Sequence, residues 1–202
     1  MTENELSAEP SAYVRSLPIG KPLPLAEDGV VSWAQFPLEG DMRVKVLAEP
    51  ELPEAPRMGE DGPEGCHACR REVTDPKVLW ADEHWMVCGF DEPEALPAAV
   101  MLYSRGHYDL ADLPPERSAE LGPMIQRVER AVISLGGIAR VHVNRWGDGA
   151  AHFHLWFLAR PEGMTQLKGT FLPLWGDVMP KVEPEVWAET NRRIAAALAA
   201  ES

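Results

Sequence analysis

Ala151-His152-Phe153-His154-Leu155-Trp156-Phe157-Leu158 is the stretch on which the reading of this chain turns. Alternate residues of a strand share a face, so His152, His154 and Trp156 project one way and Phe153, Leu155 and Phe157 the other. The apolar triplet reads as the core face. A Gly-rich turn at residues 145–150, Arg-Trp-Gly-Asp-Gly-Ala, precedes the stretch, and such backbone lets main-chain amides approach an anion. Two imidazoles beside that turn make a site suited to phosphate chemistry. The alternative is a pair of half-exposed strand histidines.

Working outward, residues 140–144 form a further strand, and residues 78–81, 85–90 and 99–103 form a three-strand meander between Asp/Glu/Pro-rich turns. Pro114-Pro115-Glu116 opens a long helix in which Leu121, Ile125, Val128, Val132 and Leu135 recur at three- and four-residue steps up to Gly136-Gly137. A last helix starts near Pro184 and runs through Trp187, Ile194 and Leu198. The expected class is α+β: an antiparallel meander sheet with one long helix, an N-terminal arm and a C-terminal helix.

The arm is acidic and Pro-rich. Residues 1–63 hold nine of the 19 prolines and 12 acidic against 5 basic residues. Short strands are expected at residues 30–36 and 42–46, with a linker at 49–62. The organisation expected is therefore an arm at 1–65, partly ordered, a domain at 66–160, and an extension with the terminal helix at 161–202. In all, 202 residues with 45% apolar content suffice for a core without disulfides. The three cysteines, two in a C-x-x-C pair, point to a reducing cytoplasm. No apolar run reaches membrane-span length, and the acidic start lacks the flank of a signal peptide. A net charge of −13 opposes nucleic acid and anionic membranes while leaving room for a small phosphorylated ligand in a local pocket.

The stretch at residues 152–158 resembles the signature of the histidine-triad superfamily of nucleotide hydrolases and transferases, His-φ-His-φ-His-φ-φ with φ apolar. The likeness extends upstream through the C-x-x-C pair, the turn Asp82-Glu83-His84, Asp91 after the second strand, and the basic segment ending at His107. It covers residues 66–160. The resemblance implies a protein that hydrolyses or transfers a nucleoside monophosphate, with His154 as nucleophile. It implies that Asp91 holds ribose hydroxyls, Asn144 the phosphate region, and Gly147 and Gly149 the phosphate through backbone amides. It also implies a homodimer. The turn is shorter than in common members, with Gly149 at a hydroxyl position. The third signature position is Trp156, whose single indole N–H cannot protonate a leaving group. Trp156 is expected to touch substrate, and a catalytically inactive, zinc-stabilised nucleotide-binding or interaction protein is the alternative.

Cys66 and Cys69 have the spacing of a zinc knuckle, although a reduced pair or a redox dithiol shares it. In zinc-containing relatives, including the galactose-1-phosphate uridylyltransferase branch, the other ligands are the histidine closing the basic segment and the first signature histidine. The resemblance places these at His107 and His152. The implied Zn²⁺ is structural.

Overall fold

The computed structural model describes residues 12–17, 38–39, 43–44, 55–165, 167 and 169–200. In chain order they form α1 (Ala12–Ser16), β1 (Leu38–Glu39), β2 (Arg43–Val44), β3 (Val78–Ala81), β4 (Trp85–Cys88), β5 (Ala99–Ser104), α2 (Pro115–Ile133), β6 (Ile138–Asn144), β7 (His154–Pro161), α3 (Phe171–Val178) and α4 (Pro184–Ala200). The expected strand at residues 30–36 lies outside the described residues. Of the one at 42–46, Arg43–Val44 form β2, which pairs with β1, and the rest lies outside the described residues.

The main sheet has five antiparallel strands in the order β3-β4-β5-β7-β6. The histidine strand is therefore interior, flanked by β5 and the edge strand β6. Its alternation divides the molecule. Phe153, Leu155 and Phe157 enter a core with Val87, Val100 and Leu102, closed by Met124, Val128 and Val132 of α2 and Ile194 and Leu198 of α4. Burying side chains of this size contributes about 1.5–3 kcal/mol each, before the entropy of ordering them is set against it. The spacing 124, 128, 131, 132 puts one face of α2 on the sheet, and the helix gives way to Gly136 and Gly137 at positive φ, where L side chains are strained.

The opposite face of the sheet is also covered. Ala99 and Leu158 pack with Ala95, Leu96, Leu167, Leu172 and Trp187, so α3 and the start of α4 form a second layer there. Register fixes what faces this layer: Tyr103 stands opposite His154, Met101 opposite Trp156, and Asn144 opposite Trp156 on the other side. Among the described residues, no helix is long and apolar enough to cross a membrane.

Candidate metal centre and histidine site

Cys66, Cys69, His107 and His152 converge, their ligand atoms all lying within 4.8 Å of one another. Cys69 Sγ is 3.2 Å from His107 Nδ1 and 3.3 Å from His152 Nδ1, and Cys66 Sγ is 3.4 Å from His152 Nδ1. A tetrahedral zinc with bonds of about 2.3 Å to sulfur and about 2.0–2.1 Å to nitrogen sets sulfur–nitrogen edges of about 3.5 Å. The donor set therefore fits zinc in type, number and spacing.

The outer shell fits as well. His152 Nε2 lies 2.7 Å from the Ser104 carbonyl and His107 Nε2 lies 3.0 Å from the Gly59 carbonyl. A carbonyl only accepts, so both Nε2 atoms carry the proton and both Nδ1 lone pairs face the centre. Burial keeps the His152 imidazole below its ordinary pKa, hence neutral, the state that ligates. Burial, reinforced by Cys66, pushes the Cys69 thiol up to about 11, a cost that a metal cation beside the sulfur relieves. Gly59 has φ +78°, and a Cβ there would stand 3.0 Å from Cys66 Cβ and 3.2 Å from His107 Cε1. Glycine is needed at 59 for conformation and for space.

His154 is buried on the same strand, and its Nδ1 donates to the His152 carbonyl at 2.8 Å. That bond assigns the proton to Nδ1 and leaves the Nε2 lone pair for chemistry. Its ring lies 5.9 Å from that of Tyr103, and the Arg71 guanidinium sits 5.4 Å from the Tyr103 ring centroid. Arg71 also faces Cys88; burial raises the Tyr103 hydroxyl and the Cys88 thiol, and the guanidinium opposes both shifts. Trp156 is stacked on Phe90 at 5.3 Å and 28°, meets Trp146 edge-on at 5.6 Å, and buries its indole N–H without an acceptor among the described residues.

No family model matches the chain, and no curated protein sequence matches it. Among solved structures it is similar to a hypothetical histidine triad nucleotide-binding protein from Sulfolobus tokodaii strain 7. The TM-score is 0.50 at 14% identity, over 67% of this chain and 93% of that one. The fold is the histidine-triad fold. A Zn-bound histidine triad family protein from Mycobacterium smegmatis is similar at TM-score 0.49 and 22% identity, over 69% of this chain and 97% of that one. A uridylyltransferase is similar at TM-score 0.46 and 20% identity, over 66% of this chain and 45% of that one.

Within this histidine-triad fold the remaining sequence-derived residues are placed less closely. Asp91 is 62% exposed and paired with Lys77 at 2.6 Å. Asn144 ends β6 opposite Trp156. Gly147 and Gly149 lie in the loop between β6 and β7, their carbonyls accepting from Arg57 Nη1 at 3.2 Å and from the Met58 amide at 3.1 Å. A Cβ at Gly147 would meet the Arg145 guanidinium, which would have to shift.

Sequence reasoning missed what holds this loop. Residues 55–62, read as linker, bridge to it at Met58 and Ala150. Arg57 bonds Asp109 at 2.7 Å and Glu60 through two nitrogens, while Arg145 bonds the other Asp109 oxygen. Burial alone would raise the Asp109 carboxyl, but the two arginines and the Leu110 amide hold it below the usual carboxylate range. Asp109 is two residues past His107, so one acidic residue links the metal centre to the loop. The only signal in the sequence was an arginine beside the linker proline, which is too common to read.

Proposed function

We propose that this chain is a histidine-triad superfamily member with a structural zinc, which binds a nucleotide or nucleotide conjugate and hydrolyses or transfers its nucleoside monophosphate through His154. The observation that carries this reading is the bond from His154 Nδ1 to the His152 carbonyl, which aims an unprotonated Nε2 away from the backbone. The zinc, held by Cys66, Cys69, His107 and His152, ties the start of the domain to a point two residues before His154 and needs no open position.

In this reading the nucleophile is His154 Nε2, which attacks the α-phosphorus in line. The N–P bond forms as the bond from phosphorus to the leaving group breaks. The leaving group departs with that electron pair and takes its proton from water, because the Trp156 indole is no acid. Water then attacks phosphorus, the N–P bond breaks, and the imidazole recovers its lone pair while the water proton passes to solvent. In a transferase an acceptor hydroxyl takes the place of that water. Arg71 supplies positive charge beside Tyr103; positioning and charge stabilisation are most of what phosphoryl transfer needs. Asp91 holds the ribose, and Asn144 with the Gly147–Gly149 turn holds the phosphate. The same reading places a homodimer in the cytoplasm, kept off nucleic acid by its net charge of −13.

A second reading, a zinc-stabilised nucleotide binder without turnover, is favoured by the Phe90–Trp156–Trp146 aromatic group standing where the third histidine would be. Thermal melting with nucleoside monophosphates, followed by turnover assays on nucleotide conjugates, tests both. Stabilisation with turnover that His154→Ala abolishes supports the enzyme. Stabilisation alone supports the binder, and no stabilisation by any nucleotide removes both.

A further inference from the structure

One cavity beside the histidine site is built differently from a nucleotide pocket. It encloses about 320 Å³ between the sheet and α3. Phe90, Trp146 and Trp156 wall it, with the rings of Phe90 and Trp156 stacked and Trp146 set edge-on to Trp156. Two carboxylates, Glu94 and Asp177, complete it. Among the described residues, neither has a side-chain hydrogen bond or an ion pair. The roof is fixed, since the Val182 amide donates to the Glu94 carbonyl at 2.9 Å and Leu172 of α3 is fully buried.

Two half-buried carboxylates thus line one cavity beside apolar rings, and neither is bonded to a donor among the described residues. Burial raises both carboxyls, and Asp177 raises Glu94 further, while Lys181 acts on Glu94 in the opposite sense without forming an ion pair. A cation in the cavity would be held by both carboxylates and by the ring faces. A hydrated metal ion needs six or more oxygen ligands and gains little from three aromatic walls, so the fitting cation is organic. Trp156 is two residues beyond His154 on the same face, about 7 Å along the strand. A group seated here is therefore within one strand step of the nucleophile.

We infer that this cavity binds an organic ammonium group, and, resting on the function proposed above, that the substrate is a nucleotide conjugate whose second half carries that cation. Trp156 then has a role of its own: it exchanges the third histidine for a wall of the leaving-group pocket.

The test uses the full chain without nucleotide. Choline and its neutral isostere 3,3-dimethylbutan-1-ol are titrated by tryptophan fluorescence and calorimetry. Choline is expected to bind at least tenfold more tightly than the isostere. The double variant Glu94→Gln with Asp177→Asn is expected to lose that preference, and Trp146→Ala, at a half-exposed position, to weaken choline tenfold without unfolding the chain. His154→Ala is expected to leave choline binding unchanged. Equal binding of the two probes, full choline affinity in the double variant, or displacement of choline by a plain nucleoside would each overturn the inference. A choline preference without any nucleotide turnover would contradict the enzyme reading alone. Turnover of nucleotide conjugates without a choline preference would contradict this inference alone.

Discussion

His152 and His154 stand two residues apart, each held by one backbone carbonyl, yet they belong to regions of opposite build. Around His152 every polar atom of the cluster is matched: two thiols, two Nδ1 lone pairs, and two Nε2 protons on carbonyls. Around His154 the match stops at one bond. Among the described residues, the indole N–H of Trp156 has no acceptor and the carboxylates of the neighbouring cavity have no donor. A region complete in itself is what a structural centre requires, whereas groups left without partners mark where a ligand is still to come.

The sharpest way to break this contrast is to remove a metal ligand. Cys66→Ser or His152→Ala should empty the centre and cost on the order of 3–5 kcal/mol, the class of loss that follows removal of a metal. For a domain of this size that lowers Tm by on the order of 10 °C. Elemental analysis alongside a melting curve checks it, and unchanged metal content with unchanged melting in both variants would refute the centre. Acid should act in the same direction. The folded pKa of His152 is depressed below its unfolded value of about 6.5, so its contribution is present above that pH and lost as pH falls through the folded value. Protons also compete with metal for the imidazoles and thiolates. Metal release and melting temperature should therefore decline together below about pH 6.5, and a melting temperature flat from pH 7 to 4.5 would speak against it.

At His154 the expected loss is of rate and not of stability. His154→Ala should cut nucleotide turnover by on the order of 10³-fold or more while leaving metal content unchanged. Parallel loss of metal would show that the two regions are not separable. Trp156→His is the opposite move, restoring an acid where the chain has a wall. It should raise hydrolysis of substrates with poor leaving groups by up to about 10²–10⁴-fold, while Trp156→Phe changes little. A rate that falls in Trp156→His would mean the indole acts in the reaction itself. The smallest effect is expected at Asp91, exposed and already paired with Lys77. Asp91→Ala should weaken nucleotide binding by a factor of several, the worth of one hydrogen bond, measured by calorimetry against wild type. An unchanged affinity would leave Asp91 as a surface ion pair.

The cysteine pair and the core alternation were legible because each rests on residue type at fixed spacing, whereas His107 and His152 came from the family resemblance. Cys-x-x-Cys needs only reading, and Phe153, Leu155 and Phe157 obey the period of two. Even so, β7 starts at His154, not residue 151, because the Phe153 amide donates to the Tyr108 carbonyl and not to a neighbouring strand. The partners of the histidines were illegible, since Gly59 and Ser104 contribute through carbonyls and a carbonyl leaves no mark on residue identity. Likewise α3 was not foreseen: Leu172-Pro173-Leu174-Trp175-Gly176 carries two breakers in five residues, and only packing against Leu96, Ala99 and Leu158 makes it a helix.

The central claim is that His154 Nε2 forms a bond to phosphorus. Wild-type protein mixed with a slight molar deficit of a nucleotide conjugate carrying a good leaving group, quenched in alkali, digested and analysed by mass spectrometry, tests it directly. The account predicts a nucleoside monophosphate adduct on the peptide containing residues 152–158, fragmenting at His154 and absent from His154→Ala. Release of nucleoside monophosphate with His154 unmodified, at the same rate in His154→Ala, would contradict it.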